Sequence, residues 1–474
     1  MANVKKILFV ASEALPFAST GGLGDVIGSL PLALKRLQKE SLDIRVIIPL
    51  YKTLEPKYRE QMIKICETTI ALSWRNQYAA VYMIEREGVK FYFIDNEHYF
   101  NRRFLYGSFD DGERFAFFCK AVVELLPKID FIPDILHAHD WQSALTVIYL
   151  KGQYANRGEY RNIKTVFTIH NIEYQGVYGF DILGDIFDLT ENDRQTVDYN
   201  GAINLMKGAI VSCDMLTTVS PTYANEILRQ SFSAGLHNVL DLFKGKIRGI
   251  INGIDMDYYN PKTDSELFNN YDPKLVSMKK QNKIQLQKML GLPEDPDIPM
   301  IAMITRLASH KGVDLISHAA DELLSNNIQF VLLGTGDFHY EAFFTQLKEH
   351  YPSKVSILLM FNRDMSKKIY AASDIFLMPS QSEPCGLSQM IASRYGTVPV
   401  VRSVGGLHDT IHEGINGFSF NEYESSDMMA AVYRALEKFK NKVVWNEFVK
   451  DVMNTDFSWD KSAKEYLSLY DEVT

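Results

Sequence analysis

Residues 20–25 read Thr-Gly-Gly-Leu-Gly-Asp. They follow the apolar run Ile-Leu-Phe-Val at 7–10 and open an amphipathic stretch at 26–37. This order predicts a buried strand, a glycine turn and a helix, an arrangement that brings free backbone N–H groups and the helix dipole to a diphosphate. This turn and a second glycine pair at 334–339 both lack the third glycine of the dinucleotide fingerprint, and no phosphate-loop pattern occurs. The sequence therefore disfavours a dehydrogenase or a nucleotide triphosphatase. Glycines that serve only tight turns are the alternative.

A similar element lies near the other end of the chain. The apolar run at 375–378 leads through Pro379 into Glu-Pro-Cys-Gly-Leu at 383–387, and a helix-like stretch follows at 388–394. Each of the two elements is suited to face a charged ligand. Their presence predicts two similar domains that close on one cleft.

The composition excludes several classes of protein. A chain of 474 residues exceeds one hydrophobic core, so two domains are expected. A net charge of −9 argues against nonspecific nucleic-acid binding, which needs a basic surface. The four cysteines are scattered, which predicts reduced thiols rather than a disulfide or zinc framework. No signal-peptide pattern and no apolar stretch of spanning length are present, so we expect a cytoplasmic protein without a membrane partner.

Short apolar runs alternate with stretches of helical periodicity. Brief, β-branched runs of this kind are typical of buried parallel strands. The pattern restarts after a polar passage at 260–299, which predicts a second doubly wound sheet, and an amphipathic helix is predicted at 458–470. The sequence thus predicts an α/β fold. The predicted strands lie at 7–10, 44–48, 91–94, 135–138, 165–169, 215–219, 300–304, 330–333, 355–359, 375–378 and 399–401.

Charged side chains follow two predicted strands of the second half. Arg306 and Lys311 come after the run at 300–304, where open α/β sheets bind ligands, and two cations there can neutralise a leaving diphosphate. A solvated loop is the alternative. Glu383 comes after the run at 375–378, where a carboxylate can face an electron-poor sugar carbon. Its alternative is a charge that favours a helix N-terminus.

Histidines and an aspartate follow strands of the first half. Residues 137–142 read His-Ala-His-Asp-Trp-Gln and offer polar groups beside an aromatic face, as a sugar requires. We expect His137 and His139 to point to opposite faces of their strand, which disfavours a metal site. His170 ends the strand at 165–169, and a structural hydrogen-bonding role is its alternative.

Together these segments resemble the bacterial glycogen synthase and plant-type starch synthase family, and the resemblance covers essentially the whole chain. Any one segment is unspecific, but their number and order are specific. The matching segments are Ser-Glu at 12–13, residues 20–26, 137–142, 168–171, 174–176, 218–224, 251–255, 305–307, 311–312, 383–387 and 405–407.

The resemblance implies a fold and a set of boundaries. Members of the family have two facing Rossmann-like doubly wound domains with a catalytic cleft between them, the glycosyltransferase-B architecture. We expect an N-terminal domain at 1–245 on the acceptor side and a C-terminal domain at 246–455 on the donor side. A last helix at 456–474 is expected to cross back to the N-terminal domain.

The resemblance also implies catalytic residues. Arg306 and Lys311 would bind the donor diphosphate, His170 would hold the glucose, and Glu383 would lie near the anomeric carbon. Asp140 and His139 would contact the sugar. The family requires neither a metal nor a cofactor.

Further residues are expected to bind substrate, several through their backbone. The amides at 386–388 would hold sugar hydroxyls, and glycines would let the backbone approach sugar or phosphate. The substrate-binding set is Ser19, Thr20, Gly22, Asp25, His139, Asp140, Asn252, Phe361, Cys385, Gly386, Leu387, Ser388, Gly405 and Gly406.

The chain departs from the family pattern at two positions, and a third position distinguishes it from related transferases. The family usually has Lys before Thr-Gly-Gly-Leu, near the donor phosphates, and this chain has Ser19. Phe361 stands where an adenine-stacking Tyr is usual, which keeps the stacking face. Ile391 stands where many related retaining transferases carry a second Glu, which favours the glycogen synthase branch.

We therefore expect a retaining glucosyltransferase that extends an α-1,4-glucan (glycogen, starch or maltooligosaccharide) from ADP-glucose. One alternative is a related transferase that uses another nucleotide sugar, such as UDP-glucose. The other is a glucan-binding protein with little turnover.

Overall fold

The computed structural model describes residues 4–474, which form two compact units. Unit 1 comprises the chain up to Gly253 together with Trp459–Thr474, and unit 2 comprises Ile254–Ser458. No helix in the described residues is both long enough and apolar enough to cross a membrane.

Within residues 4–474, unit 1 contains a nine-stranded and a three-stranded sheet, and unit 2 contains a six-stranded sheet. The strands are β1 (Lys5–Val10), β2 (Leu42–Pro49), β3 (Ile63–Leu72), β4 (Arg75–Arg86), β5 (Val89–Asp95), β6 (Ile135–His139), β7 (Lys164–Ile169), β8 (Val177–Tyr178), β9 (Asp198–Tyr199), β10 (Ala202–Asn204), β11 (Met215–Thr218), β12 (Ile247–Gly249), β13 (Met300–Ile304), β14 (Gln329–Leu333), β15 (Val355–Leu358), β16 (Ile375–Met378), β17 (Val398–Arg402) and β18 (Phe418–Phe420).

Helices connect and cover the sheets. The α-helices are α1 (Gly22–Leu37), α2 (Pro56–Arg59), α3 (Glu97–Phe100), α4 (Asp111–Leu125), α5 (Trp141–Lys151), α6 (Arg194–Val197), α7 (Leu205–Ser212), α8 (Pro221–Glu226), α9 (His237–Leu242), α10 (Lys279–Leu290), α11 (Val313–Ser325), α12 (Phe338–His350), α13 (Arg363–Ala372), α14 (Ser388–Arg394), α15 (Gly405–Thr410), α16 (Ser425–Lys440), α17 (Lys442–Asn454) and α18 (Trp459–Val473), with 3-10 helices at Phe180–Ile182, Lys244–Lys246, Pro273–Met278 and Ser309–Lys311.

The large sheet of unit 1 has the order β12-β11-β7-β6-β1-β2-β5-β4-β3. The seven strands from β12 to β5 in this order are parallel, β4 runs antiparallel to β5, and β3 runs antiparallel to β4. Strand β1 lies between β2 and β6, so the chain winds outward in both directions from β1. The boundary predicted between 245 and 246 instead lies after Gly253, because β12 pairs with β11 and completes this sheet.

The sheet of unit 2 has the order β15-β14-β13-β16-β17-β18 and is parallel throughout. Counted from the first strand of the unit, this is the doubly wound order 3-2-1-4-5-6 of dinucleotide-binding folds. The predicted α/β class, with one doubly wound sheet in each half, is confirmed.

The last helix, α18, belongs to unit 1. It buries Trp459, Tyr466 and Tyr470 in a hydrophobic core that includes residues of β1 and α1. The Tyr470 hydroxyl also lies 2.8 Å from Nδ1 of His137, at the centre of the sheet. The end of the chain therefore completes the core of the first unit.

The polar passage at 260–299 contains a helix, α10, whose sequence has no clear apolar face. It is held largely by polar contacts, because Nζ of the buried Lys279 donates hydrogen bonds to the carbonyls of Tyr370, Ala371 and Tyr395. These carbonyls lie at the C-terminal ends of α13 and α14, where the last carbonyls lack a partner within the helix, and burial lowers the pKa of Lys279 to about 7.

Candidate active site

The predicted site residues form one cluster in each unit, and both clusters lie at carboxyl ends of parallel strands. In unit 1 most of them lie at the end of β6 or after β1, β6 and β7, and in unit 2 most lie after β13, β16 and β17. The exceptions are Asn252, which follows β12, and Phe361, which follows β15. In each sheet the strand order reverses at the first strand, so the connections that follow neighbouring strands run in opposite directions. This leaves a crevice at the carboxyl ends of those strands. We call the two sets the unit 1 cluster (Glu13, Thr20, His139, Asp140 and His170) and the unit 2 cluster (Arg306, Lys311, Glu383 and residues 386–388).

A buried carboxylate holds the glycine turn of unit 1. Glu13 accepts hydrogen bonds from the Thr20 N–H at 2.5 Å, the Thr20 hydroxyl at 2.7 Å and the Tyr106 hydroxyl at 2.6 Å. The hydroxyl of Thr20, an expected substrate ligand, is thus directed to Glu13. Sequence reasoning missed Glu13 and Tyr106 as site residues; the position of Glu13 just after β1 was the available signal, whereas Tyr106 had none.

The remaining turn residues lie at or near the surface of unit 1. Gly22, the first residue of α1, is exposed, and Asp25 in the first turn is partly exposed. The Ser19 hydroxyl donates to the Gly21 carbonyl at 3.2 Å. A Cβ on Gly24 would lie only 2.5 Å from the Cβ of Ser19, so the turn closes tightly over this glycine.

The rings of His137, His139 and His170 form a row at the carboxyl ends of β6 and β7. Nδ1 of His139 lies 3.0 Å from Nε2 of His170, and the rings of His137 and His139 are centred 4.1 Å apart. The expectation that His137 and His139 point to opposite faces is wrong, because residues two positions apart on a strand share a face. His139 is also fully buried, so its ring contacts His170 rather than an exposed surface that a sugar reaches.

Burial keeps these rings uncharged. It lowers the pKa of His170 to about 3, and it lowers the pKa of His137 and His139 well below the usual value near 6.5. All three are therefore neutral at pH 7. A neutral imidazole carries one N–H donor and one acceptor nitrogen.

Asp140 lies beside His170 and has a positive φ, which is uncommon for a residue other than glycine. Its φ is 56°, and its Oδ1 accepts a hydrogen bond from the His170 backbone N–H at 2.7 Å. Burial raises the pKa of Asp140 to about 7, although hydrogen bonds from the N–H groups of His170 and Asn171 lower it. This carboxyl group therefore titrates near neutral pH.

Asn252 lies in the last segment of unit 1 before the boundary. It is buried, and its Oδ1 has no hydrogen-bond partner among residues 4–474.

The loop that carries Arg306 is fixed by the second glycine pair. Leu307 donates to the Thr335 carbonyl at 2.9 Å, and its own carbonyl accepts from the Asp337 N–H at 2.8 Å. A Cβ on Gly336 would lie 2.2 Å from the Leu307 carbonyl oxygen, so a glycine is needed there. The Arg306 guanidinium is exposed and makes no hydrogen bond or ion pair within the described residues 4–474.

Lys311 and Glu383 form an ion pair. Nζ of Lys311 lies 2.7 Å from Oε2 of the buried Glu383, which also accepts from the Ser380 hydroxyl at 3.1 Å. Gly312 allows this approach, because its φ is 73° and a Cβ there would lie 2.0 Å from the Pro379 carbonyl oxygen. The pair therefore depends on close packing between the loops after β13 and β16.

A row of unpaired amides follows Glu383. The backbone N–H groups of Gly386, Leu387 and Ser388 have no acceptor among residues 4–474, and all three residues are half-buried. Such a row can donate to ligand oxygens without any side chain.

The backbone around this row is close-packed. Cys385 is buried, and a Cβ on Gly406 would lie 2.4 Å from its Cα. The Gly406 N–H donates to the Glu383 carbonyl at 3.1 Å, and Gly405 has a φ of 47°. The start of α15 therefore supports the loop that carries Glu383.

Phe361 lies between β15 and α13 with 80% of its surface exposed. An exposed ring of this kind can stack on a planar base.

Among residues 4–474, no three His, Cys, Asp or Glu side chains are grouped so that they could hold a metal ion.

Comparisons with known proteins identify relatives over the whole chain. Residues 6–242 match the family described as starch synthase catalytic domain, and residues 285–451 match glycosyl transferases group 1. The chain is 47% identical to a glycogen synthase of Alkaliphilus metalliredigens, covering 98% of this chain and 99% of the relative. It is 44% identical to a glycogen synthase of Geobacillus stearothermophilus, covering 99% and 98%.

Solved structures are similar as well. The catalytic domain of starch synthase IV from Arabidopsis thaliana, bound to ADP and acarbose, matches with a TM-score of 0.90 and 35% identity over 99% of both chains. Sucrose-phosphate synthase from Thermosynechococcus elongatus matches with a TM-score of 0.63 at 16% identity, over 99% of this chain and 98% of that one, which shows likeness of fold alone. The predicted family and its glycosyltransferase-B fold are confirmed.

Gly312→Ala should destabilise unit 2 by clearly more than Gly291→Ala. Both glycines have a φ near 70°, which costs an L-residue about 1–2 kcal/mol, but only Gly312 faces a carbonyl oxygen; nothing lies within 4 Å of a Cβ at Gly291. The clash should add about 1–3 kcal/mol. Urea unfolding of both variants makes the comparison, and equal losses would contradict the close packing described around Gly312.

Asp140 should make stability depend on pH. Its folded-state pKa is raised, so the folded protein binds more protons than the unfolded chain between about pH 4 and pH 7, and stability falls as pH rises through this window. Asp140→Asn should remove that dependence. The measurement is the urea midpoint of wild type and variant across the window, with Asp241→Asn at an exposed position of α9 as the control. A constant difference between wild type and Asp140→Asn would refute the raised pKa.

Proposed function

Because the chain belongs to the glycogen and starch synthase family of glycosyltransferases, we propose that it transfers glucose from ADP-glucose to the non-reducing end of an α-1,4-glucan with retention of configuration. The observation that carries the proposal is the cationic pair after β13. The Arg306 guanidinium has no protein partner among residues 4–474, and Lys311 lies beside a buried carboxylate. Two such charges suit a diphosphate leaving group.

The unit 2 cluster would bind the donor. Arg306 and Lys311 would pair with the diphosphate, and the amides of Gly386, Leu387 and Ser388 would donate to sugar or phosphate oxygens. Phe361 offers an exposed face for the adenine. The ADP bound to starch synthase IV, a relative at 35% identity, supports ADP as the nucleotide.

The unit 1 cluster would act on the sugar and on the acceptor. His170 would hold the donor glucose as a neutral ring, and Asp140, with a pKa of about 7, would accept or donate hydrogen bonds according to pH. The glycine turn would present the backbone N–H of the exposed Gly22, since the N–H groups of Thr20 and Gly21 donate to Glu13. Asn252, whose Oδ1 is unpaired among the described residues, would also bind substrate.

The reaction would proceed on one face of the glucose. The acceptor 4-hydroxyl attacks the anomeric carbon from the side on which the diphosphate leaves, the bond to phosphate breaks, and the hydroxyl proton passes to the departing phosphate oxygen. Arg306 and Lys311 neutralise the charge that develops on ADP. The Glu383 carboxylate stabilises the oxocarbenium-like state, and retention follows from attack on the departure face.

The direct test is incorporation of labelled glucose into glycogen by the purified protein. We expect transfer from ADP-glucose in preference to UDP-glucose and a product that an α-1,4-specific glucosidase digests. Preference for UDP-glucose would favour the related transferase with another donor. Binding of glycogen without incorporation from either donor would favour the glucan-binding protein.

Arg306→Ala and Lys311→Ala should each lower kcat by about 100-fold or more, the scale of losing one preorganised charge in a transition state. Lys348→Ala, an exposed cation of α12 in the same unit, is the matched control and should keep its activity. Steady-state rates with ADP-glucose on folded variants give the result. Turnover close to wild type in either variant would remove that residue from the diphosphate site.

Ser19→Lys should tighten donor binding. The position is half-buried in the turn held by Glu13, and its serine adds no charge. A charge-assisted hydrogen bond is worth about 1.5–3 kcal/mol, so the donor KM should fall by roughly 10- to 100-fold, more at low salt. ADP titration calorimetry and initial rates measure the effect. Ser19→Met, of similar length without charge, is the control, and equal affinities in the two variants would mean that position 19 does not face the diphosphate.

A further inference from the structure

One nitrogen of the fully buried His139 is unpaired. Its Nδ1 lies 3.0 Å from Nε2 of His170, whereas its Nε2 is enclosed and has no hydrogen-bond partner among residues 4–474. This asymmetry decides where the protons of the two rings lie.

The His139 ring packs against two other aromatic rings, those of Phe9 and His137. The Phe9 ring stacks on it at 5.7 Å with an angle of 11°, and the His137 ring lies 4.1 Å away. His137 is itself held by the Tyr470 hydroxyl at Nδ1 and by the Thr168 hydroxyl at Nε2, at 2.8 and 2.6 Å. A flipped His139 ring would stack equally well but would place a carbon opposite His170, so the hydrogen bond between the two rings favours the orientation with Nδ1 directed at His170.

Two proton arrangements satisfy the His139–His170 hydrogen bond when both rings are neutral. In one, His170 donates from Nε2, and the proton of His139 is then on its own Nε2 as a buried donor without an acceptor. In the other, His139 donates from Nδ1, and its Nε2 is an unpaired acceptor. A buried N–H without a partner is the more costly of the two, since orphaned donors are rarer in proteins than under-satisfied acceptors. The second arrangement is therefore favoured.

We propose that His139 is a positioning residue that holds His170 in the tautomer with its proton on Nδ1, so that His170 presents an N–H donor to a substrate oxygen. His170 is half-buried, and its Nδ1 makes no hydrogen bond within residues 4–474, so this donor is free for a ligand. The role of that donor in glucosyl transfer rests on the proposed function.

A neutral donor suits the proposed reaction. The sugar becomes positively charged in the transition state, and a charged imidazolium beside it would oppose that charge. Burial keeps His170 neutral, and His139 decides which of its nitrogens bears the proton. The N–H then binds the sugar without adding a positive charge.

The first test needs no activity. Protein labelled with ¹⁵N-histidine reports the tautomer of each ring through its ¹⁵N chemical shifts, and His170→Gln identifies the His170 signals. We expect His170 of the ligand-free wild type to carry its proton on Nδ1. A proton on Nε2 would overturn the proposal.

The second test compares His139→Asn with His139→Leu, which are nearly equal in shape. The amide nitrogen of Asn can replace the Nδ1 donor, and Leu cannot donate. We expect Asn to keep the His170 tautomer and most of the turnover. Leu should lose the tautomer preference and lower kcat by about 10- to 100-fold, the range for groups that orient a functional histidine. KM should change less than kcat.

The outcomes separate this inference from the proposed function. If Leu and Asn give the same tautomer and the same kcat, His139 only fills space and the positioning role is refuted. If His139→Leu does not fold, the wild-type tautomer and the His139→Asn variant still decide the question. If no variant transfers glucose from ADP-glucose but the tautomer is as expected, the proposed function fails and the positioning role remains.

Discussion

The carboxyl ends of parallel strands are the constraint on which both clusters depend. In unit 1 the first strand, β1, has β2 on one side and β6 on the other, and in unit 2 the first strand, β13, lies between β14 and β16. The connections from neighbouring strands leave such a strand in opposite directions, which opens a crevice at its carboxyl end. Glu13 follows and His139 ends a central strand of the first sheet, and Lys311 and Glu383 follow central strands of the second.

The two clusters differ in their electrostatics. In unit 1, burial keeps His137, His139 and His170 neutral and raises the pKa of Asp140 to about 7. In unit 2, Arg306 and Lys311 supply positive charge, and Lys311 is paired with the Glu383 carboxylate. A neutral, partly desolvated site suits a sugar that becomes positively charged, and a cationic site suits a diphosphate that becomes more negative.

Close backbone packing gives the unit 2 cluster its geometry. Gly312 packs against the loop after β16, Gly336 against the loop after β13, and Gly406 against Cys385. At each glycine the neighbouring backbone is so close that a Cβ would clash with it. These glycines hold together the loops that carry Arg306, Lys311 and Glu383. In unit 1 a side-chain contact has a similar role, because the Tyr470 hydroxyl of α18 holds His137, whose ring lies 4.1 Å from that of His139.

The sequence by itself determined the parallel strands, the doubly wound class and the position of most polar residues after strands, because buried strands and glycine turns leave strong local patterns. It did not predict β3, whose half-exposed sequence lacks a long apolar run, or α10, whose Lys279 donates hydrogen bonds to carbonyls that are distant in the chain. It also missed β4, although residues 79–84 of that strand are all apolar. It placed His137 and His139 on opposite faces of β6, which is wrong because residues two positions apart on a strand share a face. It also left open the Lys311–Glu383 ion pair and the hydrogen bonds between Glu13 and Thr20. Only the tertiary structure decided these, because hydrogen bonds and burial depend on which loops meet in space, and residues far apart in sequence supply both partners.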